Sequence, residues 1–415
     1  MLKTIREHLA SLSTGRKMRI VTWKSAFGLC LLSGLLIGIT SPTFSQGTPG
    51  VSENEVLIGS CSALEGPSHF LGAETVTGAK AYFNLINEES GVNGRKLKLI
   101  SADDSYDPAK TQACFDHLMS EKVFALGFFV GTPTAVKYVP MAESAKIPLV
   151  GLFTGAQTLY TPLRHWIVNV RASYFDETRA QVDGLWKTLG YKKIGVIYPE
   201  DAFGTAVLEG VKAALKEYGA EPAAIGSYQR QTAQVGAAID TVRMASPDAV
   251  VVVGPANTVA PILKQAQAKG WKPLFLTVSF VGTEELIAEA GADAEGVVIT
   301  QVVPPYYLTE HKSVALYRRA LGKYFPAERP NFVSLEGFVD AMVLVEGLKR
   351  AGKDLTREGL IHAFESIHDY DLGLGPQLKL NYSAKEHKGF DHIILTVVRG
   401  GRAVPFTDWS TALSK

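Results

Sequence analysis

The chain has 415 residues, of which 46% are hydrophobic and 20% are charged, with 42 basic residues against 41 acidic ones. This composition is typical of a globular protein and excludes disordered, collagen-like and coiled-coil chains. The nearly neutral charge argues against a nucleic-acid binder, which needs a basic surface. A chain of this length is expected to form two or three domains with a large core, so its three cysteines are not needed as staples.

The N-terminus, residues 1–45, is predicted to be an export signal. Residues 25–40 carry no charge and follow several closely spaced basic residues. This run is short for a membrane span but suits the apolar core of a secretory signal. Thr43 and Ser45 meet the small-x-small rule for cleavage before Gln46. Cleavage there removes six basic residues and one acidic residue, so the exported chain carries a formal net charge of −4.

Two alternatives remain open at this end of the chain. Met18 is a second possible start, and it gives the signal more usual proportions than Met1 does. An uncleaved membrane anchor is the competing interpretation of the apolar run. The residues around Cys30 do not form a lipobox, so we do not expect a lipid anchor.

Cys61 and Cys114 are the cysteines that stay in the exported chain. An oxidising compartment allows such a pair to form a disulfide. Cys61 lies in a predicted strand and Cys114 in a predicted amphipathic helix, and the sequence does not show whether they meet. We favour buried free thiols for both residues.

From residue 55 onward, short apolar runs alternate with helical patterns. The runs have the length and continuity of strands buried on both faces, and they lie at residues 56–61, 97–102, 124–129 and 147–152. Helical spacing occupies the segments between them, at residues 72–90, 108–121 and 134–146. Asp107 and Pro108 are predicted to start the second of these helices. The alternation is the pattern of a doubly wound parallel sheet.

The same alternation then repeats. Strands are predicted at residues 193–199, 223–228, 248–254, 273–278 and 296–302. Helices are predicted near residues 174–189, 203–218, 232–245, 256–269 and 283–290. Two such units predict two α/β lobes with a cleft between them. Because ligands of open α/β sheets gather at the carboxyl ends of the strands, the loops there are expected to carry the function.

The rest of the chain is too short for a third domain. Its predicted helices lie near residues 310–324, 333–351 and 356–367, and its strands near residues 377–380 and 391–398. We expect this part to return to both lobes, which gives several chain crossings and a hinge. The predicted lobe I is residues 51–170 plus 302–372, and the predicted lobe II is residues 171–301 plus 373–415.

The motifs of common enzyme classes are missing. The chain has no P-loop, no complete dinucleotide fingerprint, no HExxH zinc motif, no GxSxG nucleophile turn and no CxxC pair. Asp103 and Asp104 end a predicted strand and offer oxygens to a cation, but an acidic turn is the favoured interpretation. We therefore expect no catalytic activity, no cofactor and no metal ion.

A series of short motifs at the start of the exported chain has a known parallel. The strand VLIGSC at residues 56–61 precedes the loop GPSHFLG at 66–72, and the next helix carries TGA at 77–79. The segments INEESGVNGR and DDSYDP follow at residues 86–95 and 103–108. In this order the motifs resemble the type I periplasmic substrate-binding proteins of ABC importers, and the branched-chain amino acid group in particular. Further matches extend the resemblance over essentially all of the exported chain.

The resemblance implies two doubly wound α/β lobes joined by a three-crossover hinge, with a ligand clamped between them. It implies a periplasmic protein, freed of its signal peptide, that delivers an amino acid or a related aromatic or aliphatic carboxylate to permease subunits of an ABC importer in the inner membrane. We expect this protein to be a monomer. A sensing module of the same fold, acting on a chemoreceptor or kinase, is the alternative, and an enzyme is a third and less favoured interpretation.

The resemblance also assigns ligand contacts in the first lobe. Leu71 stands where branched-chain amino acid binders usually present a tyrosine. The segment 131–134, with Thr132 and Pro133, corresponds to a helix N-terminus that receives the ligand carboxylate, and the free N–H groups and the dipole of a helix favour an anion there independently. A second set of carboxylate contacts corresponds to Phe153, Thr154 and Gly155. A helix N-cap is the competing interpretation of Thr154.

Two loops of the second lobe complete the predicted site. Phe203 matches a tyrosine that stacks on the ligand, with packing in the core as the alternative. Ser279 and Phe280 match a loop that carries an acidic residue for the α-ammonium group of amino acids, and Ser279 occupies the acidic position. Because an unpaired buried ammonium group is costly, the serine argues against a simple α-amino acid. Leu71 and two aromatic replacements make the predicted pocket more apolar, so an apolar or aromatic carboxylate is a candidate class of ligand.

Other candidates lie near the predicted cleft. Glu65, Asp201 and Glu336 are in or beside the expected loops, and each is a candidate partner for an amine. Tyr306 and Tyr307 follow a crossover strand, where they are predicted either to close over the ligand or to pack in the hinge.

Overall fold

The computed structural model describes residues 47–230, 232 and 234–410, and the predicted export signal lies outside these residues. The first sheet has five strands: β1 (Glu55–Ser62), β2 (Lys96–Asp103), β3 (Ala125–Gly127), β4 (Leu149–Val150) and β5 (Ile167–Val168). All of its pairings are parallel, in the order β2-β1-β3-β4-β5. The helices that connect or flank these strands are α1 (His69–Glu88), α2 (Thr111–Ser120) and α3 (Thr132–Ala145).

The second half of the chain adds further strands and helices. The strands are β6 (Ile194–Pro199), β7 (Ala224–Tyr228), β8 (Ala249–Val252), β9 (Leu274–Thr277), β10 (Val298–Gln301), β11 (Tyr370–Asp371), β12 (Lys379–Leu380), β13 (Ile394–Arg399) and β14 (Arg402–Pro405). The helices are α4 (Tyr174–Asp183), α5 (Ala202–Lys216), α6 (Gly236–Met244), α7 (Ala256–Ala268), α8 (Thr283–Ala290), α9 (Lys312–Tyr324), α10 (Phe332–Ala351) and α11 (Arg357–Glu365).

The second sheet has seven strands in the order β14-β13-β10-β9-β8-β6-β7. Strands β6 to β10 pair in parallel, whereas β13 runs antiparallel to β10 and β14 runs antiparallel to β13. Strands β11 and β12 form a separate two-stranded antiparallel sheet. The fold is therefore α/β with two mainly parallel sheets, as the alternation of apolar runs and helical patterns predicts. Among the described helices none is long and apolar enough to cross a membrane.

The chain passes between the two sheets three times. It leaves the first sheet after β5, leaves the second after β10, and returns to it at β13. Between the last two crossings, α10 packs back on α1 of the first half. Two glycines allow this close approach, because a Cβ atom at Gly78 would lie 1.8 Å from the Ser334 carbonyl oxygen and one at Gly337 would lie 2.1 Å from that of Thr75. The exact residue limits of the two lobes stay a prediction.

One predicted helix start is wrong. Helix α2 begins at Thr111 rather than at Asp107 and Pro108. The Asp107 carboxylate accepts a hydrogen bond of 2.9 Å from the Ala109 backbone N–H, and the Asp107 N–H donates to the Asp104 carbonyl at 2.8 Å. Asp107 and Pro108 therefore form a turn that precedes the helix. The Asp107 carboxylate, which the sequence predicts to cap the helix, accepts a hydrogen bond within this turn instead.

The expectation of free thiols is also wrong, because Cys61 and Cys114 form a disulfide. Their Cα atoms are 6.1 Å apart, and the bond joins β1 to α2. Both residues are buried. The pattern of apolar positions places each cysteine on a core-facing side but does not report the distance between two elements that pack together.

Candidate functional site

The loops after β3 and β4 meet because these strands are neighbours in the first sheet. Gly131 is the N-cap of α3 with a φ of 95°, and Pro133 lies in the first turn of the helix. The Thr132 Oγ1 atom is 2.6 Å from the Thr154 Oγ1 atom, and both residues are buried. The structure thus brings together two threonines from the two segments that the resemblance predicts to contact a carboxylate.

Thr154 does not cap a helix. The next helical turn, a 3₁₀ turn, begins at Gln157 with Ala156 as its N-cap. Instead, the Thr154 hydroxyl lies 3.3 Å from the Tyr174 hydroxyl, and the Gly155 carbonyl accepts a 2.7 Å hydrogen bond from the Tyr174 N–H. The loop after β4 is therefore held against the first residue of α4, which leads into the second sheet.

Aromatic side chains from both halves of the chain meet beside the two threonines. We call Tyr106, Phe153, Tyr174, Phe203 and Phe280 the aromatic cluster; all five are at most 2% exposed. The Phe280 ring centroid lies 4.5 Å from that of Phe203, 5.6 Å from that of Phe153 and 5.8 Å from that of Tyr106. Because Tyr106 and Phe153 follow strands of the first sheet and the others follow the crossing to the second, the cluster lies between the sheets.

Leu71 also reaches this interface. It is buried in α1, and a Cβ atom at Gly282 would lie 3.0 Å from its Cδ2 atom. Gly282 directly follows the turn Ser279–Val281. An apolar side chain of the first half therefore packs against the loop that carries Ser279 and Phe280.

Ser279 binds a buried carboxylate instead of providing one. Its backbone N–H donates to the Glu177 Oε2 atom at 2.8 Å, and its hydroxyl donates to the Glu177 Oε1 atom at 3.0 Å. The Thr300 hydroxyl adds a hydrogen bond of 2.5 Å to Oε2. Arg171 forms an ion pair with Oε1 at 2.7 Å and also donates to the Ser279 hydroxyl.

Arg171 connects this network to α10, the helix that packs back on α1 of the first half. Its guanidinium group pairs with Glu336 of α10 at 3.1 Å and lies 5.7 Å from the Phe153 ring centroid and 5.6 Å from that of Tyr174. We call Arg171, Glu177, Ser279, Thr300 and Glu336 the Arg171 cluster. Burial raises the pKa of Glu336 to about 7, and the neighbouring Arg171 opposes this shift. The cluster ties the first crossing to α4 and to α10.

Arg230 makes a second link between the two halves, through Tyr106. The Asp201 carboxylate caps α5 through the Gly204 N–H at 2.9 Å and pairs with the Arg230 Nε atom at 3.1 Å. The Arg230 guanidinium lies 4.4 Å from the Tyr106 ring centroid and donates to the Tyr106 carbonyl. Burial is the main cause of a raised pKa for Asp201. Asp201 is therefore engaged by the protein itself.

The other candidate residues lie elsewhere. Glu65 is exposed. Tyr307 donates to the Ala403 carbonyl at 2.6 Å, and the Tyr306 ring packs on Phe332 at 5.4 Å. These contacts place both tyrosines in the packing near the second crossing.

The two aspartates at the end of β2 hold their own loop. The Asp103 carboxylate accepts backbone N–H bonds from Leu64 and Ser105, each at 2.9 Å, and Asp104 accepts from the Tyr138 hydroxyl at 2.8 Å. Burial raises the pKa of Asp104 to about 6. In the part of the chain that the structure describes, no group of three or more acidic, histidine or cysteine residues is arranged to hold a metal ion.

Sequence reasoning missed several residues of this region, among them Tyr106, Arg171, Tyr174, Glu177 and Thr300. Tyr106 lies within the DDSYDP motif, and Arg171 is a cation just after the apolar segment that contains β5. A charged residue directly after a buried strand marks a candidate functional residue. On this ground Arg171 could have been predicted. Glu177 carries no such signal, because one acidic residue in the first turn of a helix is ordinary.

Comparison with known proteins identifies the family to which the chain belongs. Residues 55–402 match the family model described as periplasmic binding protein, and the chain belongs to this family. The solved structure of a possible leucine/isoleucine/valine-binding protein from Rhodopirellula baltica SH 1 is 31% identical with a TM-score of 0.83, and the match covers 87% of this chain and 98% of that one.

Two other relatives are similar over most of their length. An amino acid binding protein of Pseudomonas aeruginosa is 24% identical over 296 residues, which are 70% of this chain and 78% of the relative. A branched chain amino acid ABC transporter from Thermus thermophilus, solved with bound valine, shares the fold with a TM-score of 0.77 at 23% identity, covering 86% of this chain and 97% of that one. The resemblance drawn from the motifs and the predicted fold class are both confirmed.

Proposed function

We propose that this chain is an extracytoplasmic solute-binding protein that captures an amino acid or a related small carboxylate between its two lobes and delivers it to the permease of an ABC importer. The observation that carries the proposal is the pair of buried hydroxyls of Thr132 and Thr154, 2.6 Å apart at the N-terminus of α3. The names of the relatives, an amino acid binding protein and a possible leucine/isoleucine/valine-binding protein, support the same class of ligand.

The chemistry of this position suits a carboxylate. The first N–H groups of a helix have no partner within the helix, and the helix dipole adds partial positive charge at this end. Helix α3 has 14 residues, long enough for its dipole to act at this end. Two hydroxyls beside these N–H groups add hydrogen-bond donors without adding a charge. A carboxylate bound here needs no arginine.

The position of the site between the sheets couples binding to closure. Phe153 and Phe280 come from different halves of the chain and are in direct contact. A ligand enters only when these halves separate, and it favours the closed form to the extent that both halves contact it. A permease can then distinguish the loaded protein by its shape.

The first test is a thermal-shift screen of residues 46–415 against amino acids, aromatic acids, amides and short dicarboxylates. A ligand that binds only the native state at about 100 times its Kd adds about 2.7 kcal/mol to the free energy of unfolding, so the melting temperature rises by several degrees. The carboxylates are expected to cause this shift, and the matching amides are not. A screen in which no carboxylate raises the melting temperature contradicts the proposal.

Delivery to a permease requires a separate test in cells. Deletion of the gene is expected to abolish uptake of the radiolabelled ligand from the screen at low concentration, and expression of the full chain is expected to restore it. Unchanged uptake in the deletion strain would overturn the role in transport. It would not contradict the proposal that the protein binds the ligand.

A further inference from the structure

We propose that the ligand of this site is a carboxylate with an apolar, preferably aromatic, side chain and without an α-ammonium group. The inference rests on the proposed function and narrows the class of compound that the site accepts. Two separate features support it. The acidic groups around Ser279 already have partners, and the surface around the Thr132–Thr154 pair is apolar and largely aromatic.

Glu177 is the carboxylate that lies next to Ser279, where an ammonium group would need its partner. Both of its oxygens are already used. Oε1 accepts from Arg171 and from the Ser279 hydroxyl, and Oε2 accepts from the Ser279 N–H and from Thr300. A carboxylate has about four lone-pair sites, so these four donors saturate it. Its charge is also balanced by the Arg171 guanidinium, which leaves neither a free lone pair nor a free charge for a ligand amine.

Two of the other nearby acids are engaged in the same way. Glu336 pairs with the Arg171 Nη1 atom, and Asp201 caps α5 and pairs with Arg230. Asp340 lies one helical turn beyond Glu336; its Oδ2 atom is buried without a hydrogen-bond partner among the described residues, and its side chain packs against Gly151, where a Cβ atom would be 2.7 Å from the Asp340 Cβ atom. A ligand ammonium group beside Ser279 would therefore meet only a carboxylate that is already paired, and its burial there would be strongly unfavourable.

The apolar surface around the threonine pair supports the preference for a ligand with an apolar, aromatic side chain. The Tyr106 ring lies against the N-cap of α3, since a Cβ atom at Gly131 would be 1.9 Å from its Cε2 atom. Phe153, Phe203 and Phe280 continue this surface, and Leu71 flanks it through Gly282. A ligand ring inserted between these side chains replaces their mutual contacts with similar aromatic contacts and excludes water from the site. A polar side chain of a ligand does neither.

Two matched pairs of compounds test the amine directly. Titration calorimetry of residues 46–415 compares 3-phenylpropanoate with L-phenylalanine, and 4-methylpentanoate with L-leucine. Each pair shares one carbon skeleton and differs in the α-amino group. We expect each desamino acid to bind at least about tenfold more tightly than its amino acid, which corresponds to about 1.4 kcal/mol. We also expect 3-phenylpropanoate to bind more tightly than 4-methylpentanoate.

The outcomes separate this inference from the function on which it rests. Equal or tighter binding of either amino acid overturns the inference and leaves the proposed function standing. Failure of all four compounds to bind overturns the inference, whereas the proposed function is overturned only when no carboxylate of the thermal-shift screen binds. A Phe280→Leu variant, which keeps an apolar side chain but removes the ring, is expected to weaken 3-phenylpropanoate several-fold more than 4-methylpentanoate. An equal effect on both compounds overturns the aromatic preference.

Discussion

Replacing Arg171 with leucine is expected to lower the free energy of unfolding by about 3–5 kcal/mol. The Arg171 side chain is 2% exposed and pairs with Glu177 at 2.7 Å and with Glu336 at 3.1 Å. Removing the cation leaves two buried carboxylates without a countercharge. An unpaired buried charge destabilises the fold by more than the intact ion pair stabilises it. The loss should appear as a lower midpoint in urea unfolding followed by circular dichroism.

Arg179→Leu is the matched control for this prediction. Arg179 forms an ion pair with Glu217 at 2.6 Å, but the two side chains are 61% and 47% exposed. Solvent screens this pair, so its loss is expected to change stability by less than about 1 kcal/mol. Adding Glu336→Gln to Arg171→Leu should recover part of the lost stability, because it removes one uncompensated charge. Equal losses in the two single variants would contradict the importance given to the Arg171 cluster.

Replacing both Cys61 and Cys114 with alanine is expected to lower the free energy of unfolding by about 2–4 kcal/mol. The two residues are 53 positions apart in the sequence, so the disulfide restricts a long loop in the unfolded chain. Both side chains are buried, and the alanines leave small cavities that add to the loss. Thermal unfolding of the double variant and of the oxidised protein measures the difference.

The reducing agent dithiothreitol provides the control for the disulfide. It is expected to lower the stability of the protein that has the cysteines and to leave the double variant unchanged. Thiol titration of residues 46–415, unfolded under non-reducing conditions, should detect no free thiol. Detection of two free thiols would contradict the disulfide and restore the original expectation of buried cysteines.

The order of strands and helices could be read from the sequence because it depends on local patterns. The apolar run at residues 56–61 lies within β1, and the predicted helix at residues 283–290 coincides with α8. The candidate role of Thr132 and Thr154 came from the resemblance to the periplasmic substrate-binding proteins. The structure explains why the two threonines meet, since they follow neighbouring parallel strands whose ends lie at one edge of the sheet.

The contents of the site depend on contacts that no local pattern reports. Arg171 and Glu336 are 165 positions apart, and they meet because α10 returns to pack on α1 after the second crossing. The resemblance predicts that an acidic group is lost at Ser279. The structure shows that Glu177, 102 positions away, occupies the space beside it and is neutralised by Arg171. The first relation arises from the packing of α10 on the first half, and the second from the contact of α4 with the loop after β9.

The central claim is that a carboxylate binds at the Thr132–Thr154 pair between the lobes, and calorimetry of Thr132→Val tests it most directly. Valine has nearly the same shape as threonine but lacks the hydroxyl, and Thr241→Val, which removes an exposed helical hydroxyl, is the control. With the best carboxylate from the screen, Thr132→Val should weaken binding by about 1–3 kcal/mol, or about 5-fold to 150-fold in Kd, while the control binds normally. An unchanged Kd for Thr132→Val would contradict the claim.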